Sequence, residues 1–230
     1  VGRQIDNVTS TIRDLSTLRS ENRRLQTLVD TLTIENARLS EAQIENQQLR
    51  ELGRFRQLNP FYDFRGGQVI ARVISRGPSN YQSALAIDLG SEQGITPGMP
   101  VITEAGLVGR ISRVSSGSSQ VMLLTDSQSA VNAYVQRSRA TGVVQGTLGP
   151  DLSLEYVLRG ETIVVGDVLL TSGVGGNFPR RLVIGQVAEV RQNDIEAHTS
   201  AVVVPAANLA ELESVLILMN FEPDELLDEP

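Results

Sequence analysis

Two different spacings of apolar residues divide the chain. Over residues 1–57 they recur at intervals of three and four, the period of a helix that buries one stripe. Leu18, Leu25, Leu32 and Leu39 stand seven apart. Placed at heptad position d, they leave Leu15, Asn22, Val29, Asn36 and Gln43 at position a. No proline falls in this stretch, and glycine occurs only at Gly2 and Gly53. Leu, Arg, Glu, Gln and Ala dominate, all good helix formers. The pattern predicts a coiled-coil helix over 1–58. Fully helical, it reaches about 85 Å, and a stalk of that length cannot bury its own apolar stripe.

The seam is not uniform. A Glu-Asn-x-x-Leu motif occurs at Glu21-Asn22…Leu25, Glu35-Asn36…Leu39 and Glu45-Asn46…Leu49. The first two copies are two heptads apart, but the third follows after only ten residues, a slip of three. Upstream, Ile5, Val8, Ile12 and Leu15 keep their own offset spacing. Such breaks change the local winding of a coiled coil. The expected dimer seam comprises Leu15, Leu18, Asn22, Leu25, Val29, Leu32, Asn36, Leu39, Asn46 and Leu49. Asn at position a costs stability unless it meets another Asn, which favours a parallel, in-register homodimer.

Gly53 and Asn59-Pro60 end the helical pattern. Residues 59–67 read as a linker whose Phe61, Tyr62 and Phe64 are expected to dock onto the β part. From Gln68 the period shifts to two. Twelve short alternating or β-branched runs follow, from QVIARVIS to VLILMNF, separated by Gly, Pro, Asn, Ser and Asp. This predicts antiparallel β structure over 68–222, and twelve strands suit two barrels better than one. The second barrel can be nested within the first. An internal echo supports two related units: Gly98-Met-Pro-Val101-Ile-Thr103 aligns with Gly166-Asp-Val168-Leu-Leu-Thr171, and Leu107-Val-Gly109 with Val183-Ile-Gly185. The second copy carries an extra loop, Val174–Arg181, ending in Arg180-Arg181. The expected fold is mainly β with a long N-terminal α-helix.

Charge and composition narrow the function. All 20 basic residues are arginine, so a Walker-type phosphate loop, a Schiff base and a Ser-Lys dyad are excluded. There is no cysteine, hence no disulfide and no thiolate metal site. The net charge of −7 comes entirely from seven acids after Pro205. Residues 1–205 balance 20 acids against 20 arginines and offer nucleic acid no electrostatic footprint. Residues 223–230 form an acidic tail. The single histidine, His198, reads as part of a turn, and only Ser200 and Ser214 follow it, neither in the setting of a triad nucleophile. One histidine without cysteine is poor zinc chemistry. No catalytic residue, cofactor or metal site is expected.

Taken in order, several stretches resemble the MreC family of bacterial rod-shape-determining proteins. They are the ENxxL coiled coil, Gly94–Gly109, Val121–Asp126 with Val131, Arg137–Gly146, Val165–Gly173, Phe178-Pro and Gly185-Gln-Val187. The resemblance implies two antiparallel β-barrels reminiscent of trypsin-like proteases without their active site. It implies a single membrane span upstream, with the barrels on the periplasmic or extracellular side. It implies dimers that can associate into filaments, and a non-enzymatic scaffold role in cell elongation and peptidoglycan synthesis. The implied partners are a class B penicillin-binding transpeptidase, MreD, RodA and, across the membrane, MreB. The alternative is a periplasmic, membrane-fusion-like adaptor protein of a transporter. That architecture places a helical hairpin in mid-chain between β elements, whereas here one helical stretch precedes all the strands.

Overall fold

Helix α1 runs unbroken from Gly2 to Leu58. Its threonines do not compete with the helix: the hydroxyls of Thr27, Thr31 and Thr33 donate to carbonyls four residues earlier, at 2.8–3.0 Å. It stops where Pro60 removes a donor. Asn59 closes the end, with both its backbone N–H (3.1 Å) and its side-chain amide (2.9 Å) donating to the Phe55 carbonyl. The computed structural model describes residues 2–76, 81–147, 149–158, 160–191 and 198–221, without the side chains of 2–17, 20, 72–76, 81–83 and 198. The expected tail 223–230 lies outside the described residues. The chain divides into two compact units, 1–53 and 54–230.

Unit 54–230 holds two closed six-stranded barrels, antiparallel throughout. The first is built from β1 (Phe64–Arg76), β2 (Tyr81–Ile87), β3 (Pro100–Ile102), β4 (Leu107–Val114), β5 (Ser119–Leu123) and β12 (Ser214–Leu218). The second uses β6 (Ala130–Val135), β7 (Thr141–Gly146), β8 (Leu152–Leu158), β9 (Val168–Thr171), β10 (Val183–Arg191) and β11 (His198–Pro205). Each has its own core. Leu85, Ile87, Val101, Leu107, Ile111 and Val121 fill the first, and Val135, Leu154, Leu169, Ile184, Val187 and Val203 the second, all buried. Closure leaves neither sheet an edge for unwanted pairing.

Around the barrels the strand orders are β1-β12-β3-β4-β5-β2 and β7-β6-β9-β10-β11-β8. They coincide when β7–β11 are matched to β1–β5, and β6 then occupies the place of β12. The chain is therefore two six-strand repeats, β1–β6 and β7–β12, that have exchanged their last strands. Pairing register supports the match. Val101 faces Gly109 across the β3–β4 hairpin, as Leu169 faces Gly185 across β9–β10. The Gly98 and Gly166 amides donate to the Ile111 and Val187 carbonyls, both at 2.8 Å. β4 and β10 are bulged just after those same two residues, at Ile111/Arg113 and Val187/Glu189. The two glycines are required by space: a Cβ on Gly109 would lie 1.9 Å from the Met122 carbonyl oxygen, and one on Gly185 would lie 2.2 Å from that of Val204.

Three details differ from the sequence reading. β1 begins at Phe64, inside the segment expected to be linker, because Gly66 and Gly67 pair with Leu216 and Val215 despite their poor strand propensity. Of the aromatic cluster, Phe64 is buried and stacks edge-on with Tyr62 and Phe55, each at 5.8 Å, but Phe61 remains 89% exposed. His198 is not in a turn: it opens β11 and pairs with Leu158.

One ion pair ties the second barrel together. Arg137, after β6, donates to both carboxylate oxygens of Asp167 before β9, at 2.7 and 2.9 Å. The Asp167 side chain is almost wholly buried and also accepts the Val164 amide at 2.9 Å. The Arg137 hydrogen bonds hold this carboxyl below the usual aspartate range, with the Val164 amide adding to them and burial opposing. The stabilisation is therefore complete above about pH 4, the value of a free aspartate, and is lost as pH falls through the lower folded value. Asp167→Asn is expected to melt earlier at neutral pH and to lose less of its melting temperature on acidification, as followed by circular dichroism across pH.

Candidate interaction surfaces

The first surface is the stripe on α1. Leu18, Leu25, Val29, Leu32, Leu39 and Leu49 are between 52% and 67% exposed, and Asn22, Asn36 and Asn46 are exposed beside them. Helical spacing places 18, 22, 25, 29, 32, 36 and 39 along one line of the surface. The backbone of Leu15 continues the helix, and its side chain is not among those described. Asn46 and Leu49 belong to the third motif, three residues out of frame. Burying leucines of this kind is worth about 1.5–3 kcal/mol each, and an isolated helix gives them no cover.

The second surface lies where the two repeats meet. The tip of the β3–β4 hairpin touches the start of β10. A Cβ on Gly106 would lie 2.5 Å from the Val183 carbonyl oxygen, so only glycine permits the approach. Between them opens a cleft of about 250 Å³, walled by Phe55, Asn59, Tyr62 and Phe64, by residues 102–106 and by residues 180–183. Its walls are mostly apolar, and its rim carries Arg180, Arg181 and Glu104.

The extra loop delivers the two arginines. Only two residues separate Thr103 from Gly106, whose carbonyl accepts its amide, whereas ten separate Thr171 from Leu182, which stands in the same relation to it. The loop is clamped. Thr171 Oγ1 donates to the Pro179 carbonyl at 2.5 Å and accepts the Leu182 amide at 2.9 Å, while Phe178 and Pro179 are buried. The Arg180 stem lies across Gly173, where a Cβ would come within 2.3 Å of it. Arg181 is held at φ 70°, a conformation that costs a non-glycine residue about 1 kcal/mol or more. Both arginines are exposed, and among the described residues neither guanidinium has an ion-pair or hydrogen-bond partner. The same two arginines also line a second cleft of about 270 Å³, with Tyr134, Arg139, Thr141 and Ser172. There the Arg139 guanidinium sits 4.7 Å over the Tyr134 ring.

Sequence spacing located the stripe but not the cleft. The available signals were the extra loop with its paired arginines and the aromatic linker, but nothing in the linear order brings them together. Among the described residues no three His, Asp or Glu side chains gather as they would to hold a metal ion. No described helix is long and apolar enough to cross a membrane.

Comparison with known proteins gives consistent results. The sequence profile of the family "Rod shape-determining protein MreC, barrel core" matches residues 73–219. The cell shape-determining protein MreC of Escherichia coli (strain K12) is 32% identical over 217 residues, which cover 93% of this chain and 57% of that protein. The chain thus spans a little over half the length of that relative. A solved MreC structure matches with a TM-score of 0.69 at 28% identity, covering 77% of this chain and 98% of the other. A structure of the complex between penicillin-binding protein PBP2 and MreC from Helicobacter pylori shares the fold, with a TM-score of 0.54 at 15% identity over 69% of this chain and 98% of the matched one.

Proposed function

The chain belongs to the MreC family of rod shape-determining proteins, and from that premise we propose that it is a non-enzymatic scaffold of the bacterial cell-elongation machinery. It orders peptidoglycan synthesis by holding other proteins, not by chemistry of its own. The observation that carries this reading is the pairing of a family-matched double barrel with a helix that exposes leucines at heptad spacing. α1 pairs with a second copy through Leu15, Leu18, Asn22, Leu25, Val29, Leu32, Asn36, Leu39, Asn46 and Leu49. The barrels act on the periplasmic or extracellular side, attached to the membrane by a single span upstream. Their partners include a class B penicillin-binding transpeptidase, a contact supported by the Helicobacter pylori complex. MreD, RodA and, across the membrane, MreB complete the assembly, and dimers can associate into filaments. The names of the relatives favour this reading over an adaptor of a transporter.

Crosslinking and co-purification from cells making this chain test the proposal. Recovery of a transpeptidase linked to barrel residues supports it, and recovery of transporter components in its place overturns it. The seam carries a subtler expectation. Asn22→Leu combined with Asn36→Leu should raise the thermal midpoint by several degrees while broadening the distribution of oligomers in sedimentation velocity. A strictly dimeric variant would show that these asparagines do not set the register.

A further inference from the structure

We propose that the cleft lined by Arg139, Arg180 and Arg181 is an anion site that takes a diphosphate group. Strand order builds its floor. β6 pairs with β7 on one side and β9 on the other, which sets Tyr134 opposite Thr141 and Leu170. The Ser172 amide, just past β9, donates to the Asn132 carbonyl at 2.9 Å. Three hydroxyl-bearing side chains, Tyr134, Thr141 and Ser172, therefore come together along the cleft. The arginines enter from two separate loops. Arg139 lies in the β6–β7 turn, where its amide donates to the Val135 carbonyl at 2.9 Å and Arg137, two residues earlier, is held by Asp167. Arg180 and Arg181 end the loop clamped by Thr171.

This convergence is unfavourable in the chain by itself. Three like charges share one cleft. Among the described residues only three other than glycine have positive φ, and two of them are Arg139 at 66° and Arg181 at 70°. None of the three guanidiniums has a carboxylate partner among the described residues, and only Arg139 has a partner at all, the Tyr134 ring. No acid lines the cleft: Glu104 belongs to the wall of the other one, and the Glu161 carboxylate is engaged by the Thr141 amide at 3.0 Å. A bound anion supplies the missing partner. Guanidinium forks match phosphate oxygens two at a time, and hydroxyls can donate to the oxygens left over. A single phosphate, with a charge of roughly −1.5 to −2, falls short of three arginines, whereas two linked phosphates match them.

Isothermal titration calorimetry of the full chain at low ionic strength tests this, with inorganic diphosphate, inorganic phosphate and acetate as ligands. Diphosphate should bind at least about tenfold tighter than phosphate, and acetate should give no heat of binding. Arg139→Gly with Arg181→Gly should weaken diphosphate by about tenfold or more while the melting temperature holds, since glycine adopts positive φ without strain. Arg191→Ala removes an exposed arginine outside the cleft and should bind as the parent does. Cosedimentation with phosphatidylcholine vesicles, with and without diacylglycerol diphosphate, distinguishes the two sources of the group. Vesicle binding that needs the arginines assigns it to a lipid, and binding of free diphosphate without vesicle binding assigns it to a soluble ligand. Diphosphate that binds no tighter than phosphate, that survives the paired glycine changes, or that is lost equally in Arg191→Ala overturns the proposal. So does a parent chain that binds no phosphate while the glycine variant melts earlier, because the arginines would then serve the fold.

Discussion

Gly109→Ala is expected to lower the folding stability by about 3 kcal/mol or more, at the upper end of what overpacking costs. The added carbon would lie 1.9 Å from the Met122 carbonyl oxygen, and that oxygen belongs to a strand fixed on both sides, to β4 and to β2. No side chain can rotate away, so β4 or β5 must move as a whole. Gly185→Ala should behave alike, since its Cβ would meet the Val204 carbonyl oxygen at 2.2 Å at the matching place in the second barrel. Urea unfolding at a fixed slope gives the measurement. Gly117→Ala is the control, because nothing lies within 4 Å of a Cβ there. A loss at Gly109 no larger than at Gly117 would refute the close approach.

The second large effect concerns the helix. Leu25→Gln with Leu32→Gln should abolish the dimer at micromolar concentration. In the proposed pairing these positions supply four leucines across two chains. At roughly 1.5 kcal/mol each the loss is about 6 kcal/mol, some four orders of magnitude in dissociation constant. Glutamine has nearly the helix propensity of leucine, so the helix itself should persist. Sedimentation velocity reads the mass, and circular dichroism reads the helix. An unchanged dimer would move the association from the stripe to the barrels.

Much of this was legible in the sequence because the period of apolar residues reports the period of the backbone. The helix over 2–58 and all twelve strands follow from runs such as AVNAYVQ and LSLEYVL, in which one face is apolar. The echo around Gly109 and Gly185 was visible because both glycines answer the same steric demand. What stayed hidden was pairing. That β12 closes the first barrel while β6 closes the second depends on contacts across about 115 to 150 positions for β12 and about 35 for β6, which no local pattern encodes. Gly66 and Gly67 read as linker because their strand character comes entirely from the partner strand. The cleft was illegible for the same reason: Tyr62, Gly106 and Arg181 are neighbours only after both barrels have closed.

The exchanged last strands also fix an order of events on the ribosome. The second barrel is contiguous, 130–205, and can close as soon as β11 has emerged. The first cannot, although its other five strands are synthesised earlier, because the gap between β1 and β3 is filled only by Ser214–Leu218. Until those five residues appear, β1 and β3 present bare edges of the kind that recruit stray strands. A strand made after the whole of the second barrel is thus the clasp on the first barrel begun. A chain interrupted between β11 and β12 carries one closed barrel and one open sheet.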